Sequence, residues 1–132
     1  MNVPFLAAGG LAVVGAGVHG FAGQMMVVRR LRSETLPATV FGGRSTTMLM
    51  IRVTWHLTTV SFLALGSALA ACGSLGPGPA CRGVGLVAAG SYSAFAVLTI
   101  GMALRRKPGA LLRHPAPVLF VAVATLAWLG AF

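Results

Sequence analysis

The fold of this 132-residue chain is decided by the segment 3–28, VPFLAAGGLAVVGAGVHGFAGQMMVV, which contains no charged residue and is followed directly by Arg29. A membrane-spanning helix needs about 20 apolar residues, and this segment is longer than that. It is also too long for the apolar core of a signal peptide, and its basic residues follow it rather than precede it. The segment therefore predicts a retained spanning helix that tilts in the bilayer.

Three further apolar runs follow, at 46–72, 83–104 and 115–132. The loop 73–82 is rich in Gly and Pro, which end helices and form turns. The last run is short and barely long enough to span. Because every backbone polar group must be satisfied within lipid, the four runs predict one all-α membrane domain over 1–132, an antiparallel four-helix transmembrane bundle.

The composition excludes an ordinary soluble domain. The chain is 57% hydrophobic and 8% charged, with a mean hydropathy of +0.89, against about 45–50% and about 25% in soluble domains. The chain has ten Lys and Arg residues and one acidic residue, Glu34. Such a charge on a soluble scaffold would suggest nucleic acid. Here the cations sit in short clusters between apolar runs, which favours anionic lipid headgroups as partners and no nucleic acid.

The basic residues also predict an orientation. Loop 29–45 carries four arginines, loop 105–114 carries three arginines and a lysine, and loop 73–82 carries only Arg82. Cytoplasmic loops of membrane proteins hold the excess of Lys and Arg. We therefore expect both termini outside, loops 29–45 and 105–114 in the cytoplasm, and loop 73–82 in the periplasm or outside the cell. The high Ala, Gly and Arg content suggests a bacterial inner membrane.

Small residues recur at every fourth position of the first span, at Ala8, Ala12, Ala16 and Gly20. This spacing puts them on one helix face, where small side chains let a second helix backbone approach closely. The ladder predicts a packing seam, either within the bundle or between protomers.

Two histidines fall inside predicted spans, and ionisable residues there are functional candidates. His19 is roughly 15 Å from the boundary at Arg29, and His56 is roughly 12 Å from a boundary at Met48. At that level the two imidazoles could ligate a haem b, with Arg52 pairing with a propionate. If Arg52 itself marks the boundary, the histidines differ in depth by roughly 9 Å, too much for one iron. The structural alternative is a His19 hydrogen bond to a neighbouring helix and an interfacial His56.

Arg52, His56 and Thr59 share one face of the second span, and Gln24 and Tyr92 add polar groups from other spans. The track they form suits a quinone or substrate site, a proton path, or an internal hydrogen-bond network that fixes packing. Methionines near the cytoplasmic side would suit copper, although no Met-x-x-Met pair occurs, and the metal stays undetermined.

Cys72 and Cys81 flank the loop 73–82. On the outside of a bacterial membrane this pair predicts a structural disulfide. No Cys-x-x-Cys spacing indicates a redox pair.

No signature of nucleophilic, nucleotide-binding or hydrolytic chemistry occurs, and a single carboxylate excludes paired-carboxylate catalysis. We therefore favour a non-enzymatic role, as an accessory or structural subunit of a larger membrane complex or as a homo-oligomer. Two alternatives stay open: a haem b redox module serving a quinone, built on His19 and His56, and a small transporter or channel lined by Gln24, Arg52 and His56.

Overall fold

Residues 1–40, 42–106 and 115–132 are described by a computed structural model of the chain, and this part of the molecule contains helices and no strands. Helix α1 continues through a π-helical segment into the single turn α2, and three longer helices follow. Their bounds are Val3–Gly17 (α1), Val18–Gly23 (π-helical segment), Gln24–Met26 (α2), Gly43–Leu75 (α3), Pro79–Arg106 (α4) and Ala116–Ala131 (α5). Positions 107–114, most of the predicted basic loop 105–114, lie outside the described residues.

Three of these stretches are long and apolar enough to cross a membrane: Val3–Arg30, Gly43–Leu75 and Pro79–Arg105. The shortest has 27 residues, or about 40 Å of helix, against a hydrocarbon core of about 30 Å. Helix α5 has 16 residues, or about 24 Å. The prediction of an all-helical chain is confirmed, with three to four apolar helices compatible with a membrane bundle.

Glycine and proline set the helix ends between α3 and α4. Gly76 has a φ of +93°, a left-handed conformation that favours glycine, and it follows the last residue of α3 directly. Pro79 begins α4, where proline's missing N–H leaves no helical bond unmade. Helices α3 and α4 extend beyond the apolar runs of the sequence: α3 begins at Gly43 and α4 at Pro79.

The chain divides into two compact units. The first comprises Met1–Val13 and Ala64–Phe132, and the second comprises Val14–Leu63. In the first unit, α4 packs against α5. Tyr92 lies edge-on to Phe95, with ring centroids 5.7 Å apart, and both rings pack against Phe120.

Helices α1 and α3 touch backbone to backbone within the first unit. A Cβ atom on Gly9 would lie 2.6 Å from the backbone N of Ala70 and 2.7 Å from the carbonyl oxygen of Gly66. A Cβ atom on Gly73 would lie 2.7 Å from the backbone N of Leu6. Glycine is therefore required on both helices for this contact, as is usual where membrane helices approach closely.

Asn2 joins three segments of the first unit. Its side-chain oxygen accepts a bond from the N–H of Phe5 at 3.1 Å and caps α1. Its amide nitrogen donates to the carbonyl of Gly130 at 2.7 Å, and its backbone N–H donates to Gly73 at 2.8 Å. One polar residue thus ties the start of α1 to the ends of α3 and α5.

Candidate functional site

His19 lies in the second unit, within the π-helical segment Val18–Gly23. Its Nδ1 is 2.9 Å from the Oγ1 of Thr59 on α3. The imidazole stacks on the indole of Trp55, with centroids 4.2 Å apart and planes 13° from parallel. Phe62 meets the same imidazole edge-on at 5.5 Å. Three side chains of one α3 face therefore hold the ring.

The hydrogen bonds of Thr59 link the tautomer of His19 to the direction of one proton. The Thr59 hydroxyl also lies 3.1 Å from the carbonyl oxygen of Trp55. The hydroxyl has one proton, so it donates either to this carbonyl, and then accepts from the imidazole, or to the imidazole itself. In the first arrangement neutral His19 carries its proton on Nδ1 and Nε2 keeps its lone pair, and in the second the two nitrogens exchange these roles.

The π-helical segment makes room for this contact. The indole Nε1 of Trp55 donates to the carbonyl oxygen of His19 at 3.2 Å. A Cβ atom on Gly20 would lie 2.6 Å from the Cγ2 of Thr59, and one on Gly23 would collide with the Trp55 ring. Segments of π-helix recur at functional sites, and here two glycines within it give α3 side chains access to the backbone.

His56 is fully outside this cluster. It is exposed, and it follows Trp55 on the helix, so it is turned about 100° from the residue on which His19 stacks. The space beside Gly23, one turn after His19, holds the indole of Trp55. Haem ligation by His19 and His56 stays a prediction.

The predicted polar track is divided in the structure. Thr59 bonds to His19, whereas Arg52 and His56 are exposed, and the Oε1 of Gln24 is buried with no hydrogen-bond partner within the described residues. Tyr92 belongs to the first unit and is 1% exposed. A path through these residues stays a prediction.

Arg52 lines a concavity between α3 and the loop that follows α2, which we call the arginine groove. Its polar members are Arg32, Ser33, Glu34 and Ser45, and its apolar members include Leu31 and Leu49. Sequence reasoning missed this groove, because Arg32 and Arg52 are 20 positions apart and only the fold brings them together.

Cys72 and Cys81 lie side by side in the first unit. Both are buried, they are neighbours, and no disulfide joins them in the structure. The predicted disulfide stays a prediction.

The small-residue ladder of the first span is turned inward. Ala8, Ala12 and Ala16 are 0–2% exposed, and Gly20 is half-buried against Thr59. On α4 a set of glycine, alanine and valine residues is exposed. It comprises Gly83, Val87, Gly90, Ala94, Val97 and Gly101, and we call it the α4 face. Its alternating spacing of four and three is the sequence signal that could have predicted it.

Comparisons with protein-family models, with curated proteins and with solved structures find no match to this chain. Within the described residues, no group of three or more His, Cys, Asp or Glu side chains could hold a metal ion. The α4 face, the His19 cluster and the arginine groove are the candidate sites that the structure offers.

Proposed function

We propose that the chain is a multi-spanning protein of a bacterial inner membrane, with loops 29–45 and 105–114 in the cytoplasm and both termini outside. Apolar side chains cover the outer surfaces of the helices. Leu57, Val60, Val97 and Leu129 are each at least 60% exposed. A surface of this kind is stable against lipid and not against water. The excess of arginine on two of the three loops supports the orientation.

Within that membrane the protein acts as a non-catalytic subunit, and its α4 face receives a transmembrane helix of a partner subunit or of a second copy. The observation that carries this proposal is the openness of three glycines. A Cβ atom on Gly83, Gly90 or Gly101 would meet nothing within 4 Å. These glycines therefore serve no close contact within the described part of the chain.

The pattern of the α4 face fits a helix partner. Positions that alternate by four and three keep one seam of an α-helix facing a neighbour in a left-handed crossing. Gly90 and Ala94 form a small-xxx-small pair, which lets two backbones approach closely in lipid. Ala88, Ala89 and Tyr92 are buried on other sides of the same helix, so packing among the described residues leaves the seam free.

A glycine replacement tests the seam. We expect Gly90→Ile to release the partner, because a branched side chain holds the two backbones apart. Gly10→Ile is the matched control, since a Cβ atom on Gly10 also meets nothing within 4 Å but lies on α1. The measurement is the mass of the tagged protein extracted from its membrane in mild detergent, compared with the 13.4 kDa of one chain.

The proposal requires three outcomes together. The wild type runs as an assembly larger than one chain, Gly90→Ile runs as a single chain, and Gly10→Ile keeps the assembly. A wild type that is a single chain both in detergent and in liposomes contradicts the proposal. Equal behaviour of the two variants contradicts the role of the α4 face, and mass spectrometry of the assembly tells a second copy from a different subunit.

A second candidate, a haem b redox module, is favoured by one observation: the Nδ1 of His19 is hydrogen-bonded to the Thr59 hydroxyl. Ligating histidines commonly have their other ring nitrogen held by such a bond. A reduced-minus-oxidised absorption spectrum of the purified protein tests this candidate. Sharp reduced bands that vanish in both His19→Ala and His56→Ala would support it, and a colourless protein would remove it.

A further inference from the structure

The groove at the start of α3 combines positive charge with hydroxyl groups. Arg32 and Ser33 come from the loop after α2, whereas Ser45 and Arg52 come from α3, and all four line one concavity. Ser45 and Arg52 are seven positions apart, so they lie on the same face of the helix. Ser45 is in the first turn of α3, where free backbone N–H groups and the helix dipole favour an anion.

The two guanidinium groups are free to bind. Arg32 and Arg52 are exposed, and in the part of the chain that the structure describes neither has an ion pair or hydrogen bond. The one acid of the groove, Glu34, accepts a bond from the Ser33 hydroxyl at 3.2 Å and pairs with neither arginine. Between positions 29 and 52 the sequence has five arginines and only this one acidic residue. The groove therefore has an excess of positive charge that the protein does not neutralise.

The remaining wall of the groove is apolar. Leu31, Met48 and Leu49 line it, and Leu49 is 61% exposed. An inorganic anion would gain nothing from these side chains, because it has no apolar surface to bury against them. An amphiphile with a phosphate head and acyl chains would contact both walls.

We infer that this groove binds the phosphate group of an anionic phospholipid, held by Arg32 and Arg52 with Ser45 as a further donor. Arginine is suited to this task, since its planar fork of N–H groups matches phosphate geometry. The inference rests on the membrane placement proposed above and is independent of the α4 face. It assigns loop 29–45 a specific lipid contact in addition to a general attraction to the surface.

Lipid titration followed by native mass spectrometry tests the inference. The full chain in a non-ionic detergent is titrated with phosphatidylglycerol and, separately, with phosphatidylcholine of the same acyl chains. The variants are Arg32→Gln and Arg52→Gln, and the matched control is Arg44→Gln. Arg44 is exposed and adjacent to Ser45, but it does not line the groove. All three changes remove one positive charge from the same region.

We expect one phosphatidylglycerol to bind in preference to phosphatidylcholine. Either groove variant should raise its Kd by about tenfold or more, the usual effect of losing a charge-assisted hydrogen bond. Arg44→Gln should stay within about twofold of the wild type. Ser45→Glu provides a further variant if either arginine variant misfolds. It places a carboxylate in the groove at a helix position where acids are stabilising, and it should also raise the Kd by about tenfold or more.

Three results would overturn the inference. Equal binding of the two lipids would remove the preference for an anionic lipid. An equal loss in Arg44→Gln and Arg52→Gln would mean general attraction without a site. Displacement of the lipid by inorganic phosphate would make the ligand a free anion. Because the assembly mass is measured separately, failure here leaves the α4 proposal standing.

Discussion

The backbone contact between α1 and α3 gives the sharpest prediction, since two adjacent glycines of one helix have opposite surroundings. A Cβ atom on Gly9 would lie 2.6 Å from the backbone N of Ala70, whereas one on Gly10 would meet nothing within 4 Å. Ordinary contact for a Cβ atom begins near 3.4 Å. In Gly9→Ala the two helices must therefore separate by roughly 0.8 Å, and neither partner atom belongs to a side chain that could turn away.

The magnitude follows from the difference between two matched variants. Replacing Gly by Ala in a helix stabilises it by about 1 kcal/mol, and this gain is common to Gly9→Ala and Gly10→Ala. Overpacking costs about 1–3 kcal/mol and applies only to Gly9→Ala. We expect Gly9→Ala to be less stable than Gly10→Ala by about 1–3 kcal/mol, with Gly10→Ala at or above the wild type.

Reversible unfolding in mixed micelles of sodium dodecyl sulfate and a mild detergent measures this difference. Tryptophan fluorescence reports the transition, because the chain has two tryptophans. The reasoning is refuted if the two variants unfold at the same denaturant fraction, or if Gly9→Ala is the more stable one. Either result would mean that Gly9 does not touch α3 in the folded protein.

Two further predictions concern the polar contacts. Thr59→Val should lower the free energy of unfolding by about 1–3 kcal/mol, because it leaves the Nδ1 of His19 without its hydrogen-bond partner. Thr58→Val is the control, since Thr58 bonds only to its own helix at Thr54. An equal loss in both variants would contradict the His19 bond. An added oxidant should join Cys72 to Cys81 by removing two electrons and two protons, seen as the loss of two hydrogen atoms in the intact mass. Thiols that stay free under oxidising conditions would contradict the disulfide and weaken the outside placement of loop 73–82.

The helices were predictable because bilayer thickness sets a length scale that apolar runs either meet or do not. Val3–Arg30 and Gly43–Leu75 contain the predicted runs 3–28 and 46–72. The ends of the helices were less predictable. An apolar run indicates which residues lie in the lipid, but it does not indicate where the last helical hydrogen bond forms. Gly43 and Pro79 start helices that begin in polar sequence, and only the local turn chemistry of Gly and Pro indicates such starts.

The His19 cluster could not be predicted because the π-helical segment changes the helical phase. Period counting assumes about 3.6 residues per turn, and a π-helical insertion rotates all later residues by about one position, or 100°. The ladder Ala8, Ala12, Ala16 keeps one face of α1, whereas Gly20 lies within the π-helical segment and meets Thr59. His19, which stacks on Trp55, lies in the same segment.

The glycines show most directly why composition alone cannot assign function in this chain. Gly9, Gly66 and Gly73 are each required by a neighbouring backbone, so their cost in helix stability is offset by close packing within the chain. Gly83, Gly90 and Gly101 cost α4 the same amount, and no contact within the described residues offsets it. Alanine would serve α4 better if the helix faced only lipid. These three glycines share one face of α4 and the four-and-three spacing of a helix seam, so we propose that a helix outside the chain packs there. Gly10 on α1 is equally open, so the comparison of Gly90→Ile with Gly10→Ile decides whether the α4 face is the one that binds.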